Sequence, residues 1–278
     1  MFDTLQTFIA PRLRSFLKLL SIGHFHKKRI VFFSYFGAQY SCNPKYISEY
    51  MQERHPDFEI IWAFKSPQNF SYLHDKGIKT VKYLHPYFLH VCLTSKFIVT
   101  NSEIPAWFPI MKRQVYINTW HGGGAYKRVG AAYQKETPGK QIRAEIAREV
   151  PCTYVSSSNA FTELTIHQSF HHDGTILSCG MPRNDMLFNN DHPELHDKIR
   201  AYYHLPSEAK ILLYAPTYRE SKAASDYLFD CKAIQSALSE KFGGNWFILF
   251  RTHYFVMNQL NNAANYCLLY TSDAADDL

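Results

Sequence analysis

Closely spaced cysteines, long apolar runs and DxD-type acidic pairs are all lacking in this sequence, and each absence excludes a class of protein. The six cysteines are widely scattered without a CxxC spacing, so neither a zinc module nor a disulfide framework is expected, and a reducing compartment fits best. No stretch approaches the roughly 20 apolar residues that a membrane-spanning helix needs. No DxD-type carboxylate pair is present, and the histidines near position 170 lack a carboxylate or thiolate partner at metal-ligand spacing. We therefore expect no metal site.

What the sequence does contain is enough apolar residues for two α/β domains. Its 278 residues are 46% hydrophobic and 16% aromatic, with a net charge of +6. This charge favours an anionic partner such as a phosphate, a nucleic acid or an acidic membrane surface. Because the basic residues do not form a stripe interleaved with aromatic residues, we expect no nucleic-acid binding.

The first 28 residues predict a basic amphipathic helix. Pro11 is expected to start or kink this helix rather than to lie inside it. The pattern suits both a helix on an anionic membrane and a helix packed on its own domain, and the sequence leaves both open. The segment also lacks the uncharged core and cleavage site of a secretory signal. The apolar positions are Phe2, Leu5, Ile9, Leu13, Phe16, Leu17 and Leu20, and the basic residues around them are Arg12, Arg14, Lys18 and Lys27 to Arg29.

Apolar runs and amphipathic stretches then alternate along the chain, which predicts a doubly wound parallel sheet. Strands are expected at 30–37, 58–64, 80–83, 96–100, 114–119, 153–155 and 176–179, and helices at 43–54, 86–93, 141–149 and 160–170. Ser158 or Asn159 is expected to cap the helix at 160–170. After a polar passage at 185–207, a second sheet is expected to begin with strands at 210–216 and 246–250 and a helix at 233–242.

The stretch from Tyr116 to Gly130 carries the candidate for the chemistry. A strand runs into His121 and then into three consecutive glycines, which places the histidine beyond the carboxyl end of a strand, where such sheets bind ligands. The alternative is a glycine-rich turn with a buried, satisfied histidine. Further basic clusters follow other strands, around Arg183, around Arg219 and at 251–253. Guanidinium groups and free backbone amides at strand ends suit a phosphate-bearing ligand.

Together and in this order, these clusters resemble the CDP-glycerol glycerophosphotransferase family, cytoplasmic enzymes that build teichoic acid and related poly(alditol phosphate) polymers. The resemblance covers about residues 30–255 and is quite specific as an ordered set. Its segments are 36–37 with 43–47, Thr119 to Gly122 with Lys127 and Gly130, 156–161, 180–185, 214–219 and 251–253.

The resemblance implies a GT-B-like architecture of two Rossmann-like, doubly wound lobes. Residues 1–28 would be a membrane-associating segment, 29–187 the acceptor-side lobe, and 188–266 the start of a donor-binding lobe that we expect to be incomplete. In the implied reaction, a hydroxyl of a lipid-linked acceptor attacks the β-phosphate of CDP-glycerol and releases CMP, without a cofactor, at the cytoplasmic face of the membrane. Two alternatives stay open, a GT-B nucleotide-sugar glycosyltransferase and a non-catalytic fragment that binds acceptor or membrane.

The family also implies roles for individual residues. His121 matches its proposed general base, and His253 matches a second histidine suited to holding or protonating the donor phosphates. Arg183 either contacts the pyrophosphate or pairs with Asp185 as a structural clasp. The other expected donor-side residues are Thr217, Arg219 and Arg251, and the expected acceptor-side residues are Trp120, Gly122, Gly123 and Lys127. Many family members continue from His-Gly with Thr-Pro-Leu-Lys, whereas this chain continues with 123–127 as Gly-Gly-Ala-Tyr-Lys, so its acceptor-side wall is expected to differ.

The last residues, 267–278, resemble the translated read-through of a sequencing adapter. We therefore expect native sequence to end near Tyr266, the alternative being a genuine acidic tail. The family's later Thr-Asp-Tyr-Ser-Ser segment, which helps to bind donor phosphate, would lie beyond that point. The chain as given would then carry the donor side only in part.

Overall fold

The chain divides into two structural units, Met1–Phe188 and Asn189–Leu278. The computed structural model describes residues 2–19, 21–105, 107–126, 129–130, 151–188, 193–216, 229–251 and 268–270. The predicted helix at 141–149 lies outside these residues.

The first unit is built on a seven-stranded sheet in which every neighbouring pair is parallel. The spatial order is β3-β2-β1-β4-β5-β6-β7, so the order reverses between β1 and β4. In open α/β sheets this reversal opens a crevice beyond the carboxyl ends of the two strands, where ligands bind. The predicted doubly wound parallel sheet is thus confirmed. Its strands are β1 (His26–Phe33), β2 (Glu59–Phe64), β3 (Lys79–Lys82), β4 (Ser95–Thr100), β5 (Val115–Asn118), β6 (Thr153–Ser156) and β7 (Ile176–Ser178).

Both faces of the central strands are buried, which is why they read as continuous apolar runs. Along β1, Val31 and Phe33 point into one apolar cluster, which also contains Phe88 of a neighbouring helix. The alternate residue Phe32 points into a second cluster, where its ring stacks on Trp62 at 5.5 Å. Two cores on opposite faces hold the sheet rigid beneath its carboxyl edge.

The helices of this unit follow the predicted positions closely. After the N-terminal helix α1 (Phe2–Leu19), they are α2 (Cys42–Arg54), α3 (Pro86–Thr94) and α4 (Asn159–Phe161), which continues as π-helix over Thr162–His167. Ser158 is the cap of α4, since its side chain accepts a hydrogen bond from the backbone N–H of Phe161. Two 3₁₀ segments, Pro67–Lys76 and Pro182–Leu187, complete the set that frames the sheet.

Strand β1 ends earlier than predicted. It stops at Phe33, and Tyr35–Gly37 form a 3₁₀ turn instead of the end of the strand. Tyr35 and Phe36 have positive φ angles of 47° and 58°, so the extended ladder cannot continue through them. The extension of the strand to Gly37 was wrong, because an apolar run does not reveal a left-handed backbone.

The N-terminal helix, α1 (Phe2–Leu19), has two different faces among the residues whose side chains are described. Ala10, Arg14 and Leu17 are buried, whereas Ile9 and Phe16 are 48% and 59% exposed. Pro11 lies inside the helix, contrary to the prediction, although a proline removes one helical hydrogen bond. No helix within the described part of the chain combines the length and the apolar character needed to cross a membrane.

The second unit contains a three-stranded parallel sheet in the order β10-β9-β8. Its strands are β8 (Lys210–Tyr214), β9 (Trp246–Arg251) and β10 (Leu268–Tyr270), and its helices are α5 (Pro193–Tyr202) and α6 (Cys231–Phe242). β10 falls within residues 267–278, whose adapter origin stays a prediction. Cys231 is disulfide-bonded, which the scattered spacing of the cysteines did not lead us to expect.

Candidate functional site

His121 lies just beyond β5, at the carboxyl edge of the sheet and next to the point where the strand order reverses. Its Nδ1 is 2.8 Å from the backbone carbonyl oxygen of Asn101, the residue that follows β4. Because a carbonyl oxygen can only accept, Nδ1 carries the proton and Nε2 has the free lone pair in the neutral ring. Nε2 has no hydrogen-bond partner among the described residues. The ring of His121 is thus held through Nδ1, and Nε2 is available to accept a proton.

Trp120 fixes the direction in which His121 leaves the strand. Its backbone is left-handed, with φ of 51°, a conformation that costs a non-glycine residue about 1–2 kcal/mol. Two buried asparagines hold it there: Asn118 Oδ1 accepts from the Trp120 N–H at 2.8 Å, and Asn43 Nδ2 donates to the Trp120 carbonyl at 3.1 Å. The indole also stacks on the His121 ring, with centroids 4.4 Å apart.

The turn after β1 supplies the opposite wall. Asn101 Oδ1 accepts a hydrogen bond of 2.8 Å from the backbone N–H of Tyr35, whose ring centroid lies 5.6 Å from that of His121. The Nδ2 group of Asn101 is buried and has no partner among the described residues. Tyr35, Cys42 and Trp120, which contact His121 or Arg183, all have left-handed backbone, and strain of this kind concentrates at functional sites.

Arg183 comes from the 3₁₀ segment after β7 and reaches the same place. Its Nη1 donates to the His121 carbonyl at 2.9 Å and contacts the thiol sulfur of Cys42 at 3.4 Å, while its backbone N–H donates to Asn43 Oδ1 at 3.2 Å. Among the ion pairs of the described residues there is none between Arg183 and Asp185, so the alternative of a structural clasp is wrong. The guanidinium instead stands beside the histidine without a carboxylate partner in the described part of the chain.

The three glycines pack against this arrangement. The Ser157 hydroxyl donates to the Gly123 carbonyl at 2.7 Å and holds the loop. A Cβ atom on Gly123 would lie 3.8 Å from Arg183 Nη2, and one on Gly122 would lie 3.3 Å from the indole nitrogen of Trp120. Glycine at 122 thus allows the loop to pack closely on the indole of Trp120, and glycine at 123 places no side chain next to Arg183 Nη2.

The surroundings of His121 favour its neutral form. Burial lowers the pKa of the ring, the positive charge of Arg183 lowers it further, and the hydrogen bond to Asn101 opposes both effects in part. At neutral pH the ring therefore carries a lone pair that can accept a proton.

A titration checks this assignment. We expect the C2–H resonance of His121, identified by its loss in His121→Gln, to titrate below the ordinary value of about 6.5. The Arg183→Met change should move it upward, because a positive charge is removed. With the folded pKa below the unfolded one, the contribution of His121 to stability is fully present above pH 6.5 and is lost as the pH falls through the folded pKa. Titration of His121 above pH 6.5 in the unmodified protein would contradict the assignment.

The structure brings together five of the expected residues, namely Trp120, His121, Gly122, Gly123 and Arg183. Lys127, Thr217, Arg219 and His253 lie outside the described residues, and so does the side chain of Arg251, whose backbone ends β9. The sequence analysis missed the roles of three asparagines, Asn43, Asn101 and Asn118. The available signal was a polar residue at the end of each of two predicted apolar strands.

Two further features bear on what this part of the structure can bind, namely the available metal ligands and a second cavity. Within the described residues, no three His, Cys, Asp or Glu side chains are grouped closely enough to hold a metal ion, and a metal-independent chemistry stays a prediction. A separate cavity of about 500 Å³ is lined by the first residues of β5 and β6, with Tyr154 and His172. It lies toward the amino ends of these strands, whereas ligands of such sheets bind at the carboxyl ends, where His121 is.

Comparison with known proteins shows the family of this chain. The family model described as CDP-Glycerol:Poly(glycerophosphate) glycerophosphotransferase matches residues 15–278. The teichoic acid poly(glycerol phosphate) polymerase of Bacillus subtilis is 28% identical over 258 residues, which are 91% of this chain and 34% of that protein. The protein of the same name from Staphylococcus epidermidis is 34% identical over 248 residues, or 84% of this chain and 33% of that protein.

Solved structures of a related polymerase are also similar to this chain. The wall teichoic acid polymerase TagF is 29% identical, with a TM-score of 0.73, over 99% of this chain and 70% of that chain. The fold is therefore α/β and GT-B-like, as the resemblance implied. The chain spans about a third of the length of the two curated relatives described above. Since the family model covers almost the whole sequence, the chain belongs to the CDP-glycerol:poly(glycerophosphate) glycerophosphotransferase family.

Proposed function

We propose that this protein transfers glycerol phosphate, or a related alditol phosphate, from CDP-glycerol to a hydroxyl of a lipid-linked acceptor in the synthesis of teichoic acid or a related cell-surface polymer. The observation that carries the proposal is a neutral His121 next to the guanidinium of Arg183 at the switch point of the sheet. Among the described residues, His121 Nε2 has no hydrogen-bond partner and Arg183 has no carboxylate partner. The pairing suits a reaction that removes a proton from a hydroxyl beside a phosphate.

In the proposed reaction, His121 Nε2 accepts the proton of the acceptor hydroxyl as its oxygen attacks the β-phosphorus. A new P–O bond forms, the bond from the β-phosphorus to the bridging oxygen breaks, and CMP leaves with that oxygen. Arg183 stabilises the charge that develops on the phosphoryl oxygens. His253, with Thr217, Arg219 and Arg251, is proposed to hold the donor phosphates and to protonate the leaving group. No cofactor is required.

The comparisons favour glycerol phosphate over ribitol phosphate as the group transferred. Relatives named as glycerol phosphate polymerases are 28–34% identical to this chain, whereas a relative named as a ribitol-phosphate polymerase is 25% identical. Crystals of a TagF variant were soaked with CDPG, and that structure has a TM-score of 0.72 to this chain. These likenesses support a CDP-linked glycerol donor.

The test is the identity of the nucleotide released. The full-length protein is incubated with a lipid-linked acceptor and, separately, with CDP-glycerol, CDP-ribitol or UDP-sugars, and the nucleotides are separated by chromatography. Release of CMP from CDP-glycerol, dependent on the acceptor, supports the proposal. Release of a nucleoside diphosphate from a nucleotide sugar would identify a glycosyltransferase instead.

We further propose that α1 attaches the protein to the cytoplasmic face of the membrane as a peripheral protein. The support is its exposed apolar side, formed by Ile9, Leu13, Phe16 and Leu19, together with basic residues such as Arg12. Burial of apolar side chains at the lipid interface and attraction to anionic lipids act together in such helices.

Sedimentation with vesicles tests this attachment. Ile9→Ser with Phe16→Ser is expected to reduce the fraction that sediments with phosphatidylglycerol vesicles, because two exposed apolar side chains are lost. The matched control is Leu164→Ser, since Leu164 is 48% exposed, like Ile9, but lies on another helix. Equal sedimentation of the double variant and the control would show that α1 only packs on its own domain.

A further inference from the structure

Asn43 lies in the first turn of α2 and is completely buried. It opens the segment 43–47 of the family pattern, but the sequence analysis gave it no role. Its carboxamide contacts two other segments of the chain. Nδ2 donates to the Trp120 carbonyl at 3.1 Å and lies 3.3 Å from the sulfur of Met181, while Oδ1 accepts from the Arg183 N–H at 3.2 Å. A single small side chain thus joins the loop of His121 to the segment of Arg183.

We propose that Asn43 is a positioning residue of the transfer reaction, which couples His121 to Arg183 and does not itself contact the substrate. The inference rests on the function proposed above. The carbonyl that Asn43 holds belongs to the planar peptide between Trp120 and His121, so fixing this oxygen also fixes the backbone nitrogen of His121. Rotation of that peptide would turn the imidazole away from the Asn101 carbonyl.

The other end of the carboxamide fixes Arg183. Asn43 accepts a hydrogen bond from the backbone N–H of Arg183. The guanidinium of Arg183 then donates to the His121 carbonyl and contacts the thiol of Cys42, which neighbours Asn43 in the chain. Asn43 therefore connects His121, the proposed base, to Arg183, the proposed phosphate-binding group. A displacement of about 1 Å between groups of this kind can cost about 100-fold in rate.

Asparagine is suited to this place by its chemistry. It offers donors and an acceptor on one planar group, and both are used here. Alanine would remove both bonds. Aspartate would keep the acceptor for Arg183 and, while ionised, lose the donor to Trp120. When protonated, it would regain an O–H donor.

The experiment compares Asn43→Ala and Asn43→Asp with Ser48→Ala in the full-length protein. Ser48 is the matched control, since it is also fully buried on α2 and accepts a hydrogen bond of 2.9 Å from the indole of Trp62, away from the site. Four quantities are measured: kcat and KM for CMP release per folded molecule, the thermal midpoint, and the titration of the His121 C2–H resonance.

We expect Asn43→Ala to lower kcat by about 100-fold, with a smaller change in KM. The pKa of His121 should rise toward its ordinary value as the ring becomes hydrated, although the charge of Arg183, the Asn101 carbonyl and the Tyr35 ring still lie next to it. For Asn43→Asp, kcat relative to the unmodified protein should rise as the pH falls, because the protonated side chain restores the donor. Ser48→Ala should lower the thermal midpoint and leave kcat and the titration unchanged.

Failure of the inference can be told apart from failure of the proposed function. If the unmodified protein releases CMP and the folded Asn43→Ala variant keeps both its kcat and its His121 titration, the positioning role is wrong. If the unmodified protein releases no CMP from CDP-glycerol, the proposed function fails, while the titration of His121 still decides whether Asn43 positions the ring. If Asn43→Ala does not fold, the same measurements on Asn43→Asp decide, and a pH-independent ratio of kcat values overturns the inference.

Discussion

Replacing His121 by alanine in the full-length protein is expected to lower kcat for CMP release by about 10²- to 10⁴-fold, the usual contribution of a general base. The structure gives the reason: Nδ1 is held by the Asn101 carbonyl, and only Nε2 can take the proton of the acceptor hydroxyl. The affinity for CDP-glycerol should change little, because the contact of Arg183 with residue 121 is to the backbone carbonyl, which alanine keeps, and its contacts to Cys42 and Asn43 also remain.

Two measurements separate these effects. Turnover is followed as CMP release, and donor binding is followed by calorimetry without acceptor. His196→Ala is the control, since His196 is an exposed histidine on α5. Near-normal turnover of His121→Ala would remove His121 from the mechanism. Loss of donor binding together with turnover would instead assign it to the donor side.

Arg183→Lys should lower kcat/KM by about 10- to 100-fold, although the charge is kept. Hydrogen bonds to a charged group contribute about 1.5–3 kcal/mol each, and a lysine ammonium cannot reproduce the planar fork of a guanidinium. In this structure one Nη1 already serves the His121 carbonyl and the Cys42 sulfur, which leaves Nη2, near Gly123, for a phosphate oxygen. Lysine has a single nitrogen for all three.

The matched control for this substitution is Arg113→Lys. Arg113 is exposed and lies over the ring of Phe25 at 4.2 Å, just before β5 and thus at the other end of that strand from His121. Its kcat/KM should be unchanged. If the kcat/KM of Arg183→Lys equalled that of this control, the positive charge alone would account for the role of Arg183.

Much of the fold could be predicted from the sequence because it depends on local patterns. Apolar runs such as Ile60 to Phe64 are buried on both faces of a parallel sheet, and this double burial is what makes them continuous. The position of His121 at a strand end follows from the strand before it and the glycines after it. The prediction failed where a single residue adopts an unusual backbone, as at Tyr35 after β1, or where Pro11 is accommodated within a helix.

The sequence by itself thus determined the doubly wound sheet, the place of His121 at its carboxyl edge and the family to which its ordered motifs point. Only the tertiary structure decided how the histidine is held. The Asn101 carbonyl that sets its tautomer is 20 residues away in the chain, the Arg183 guanidinium 62 residues away, and Asn43 joins it to Arg183 across 140 residues. These hydrogen bonds depend on strand order and on the left-handed turn at Trp120, and a local pattern of residue types predicts neither of them.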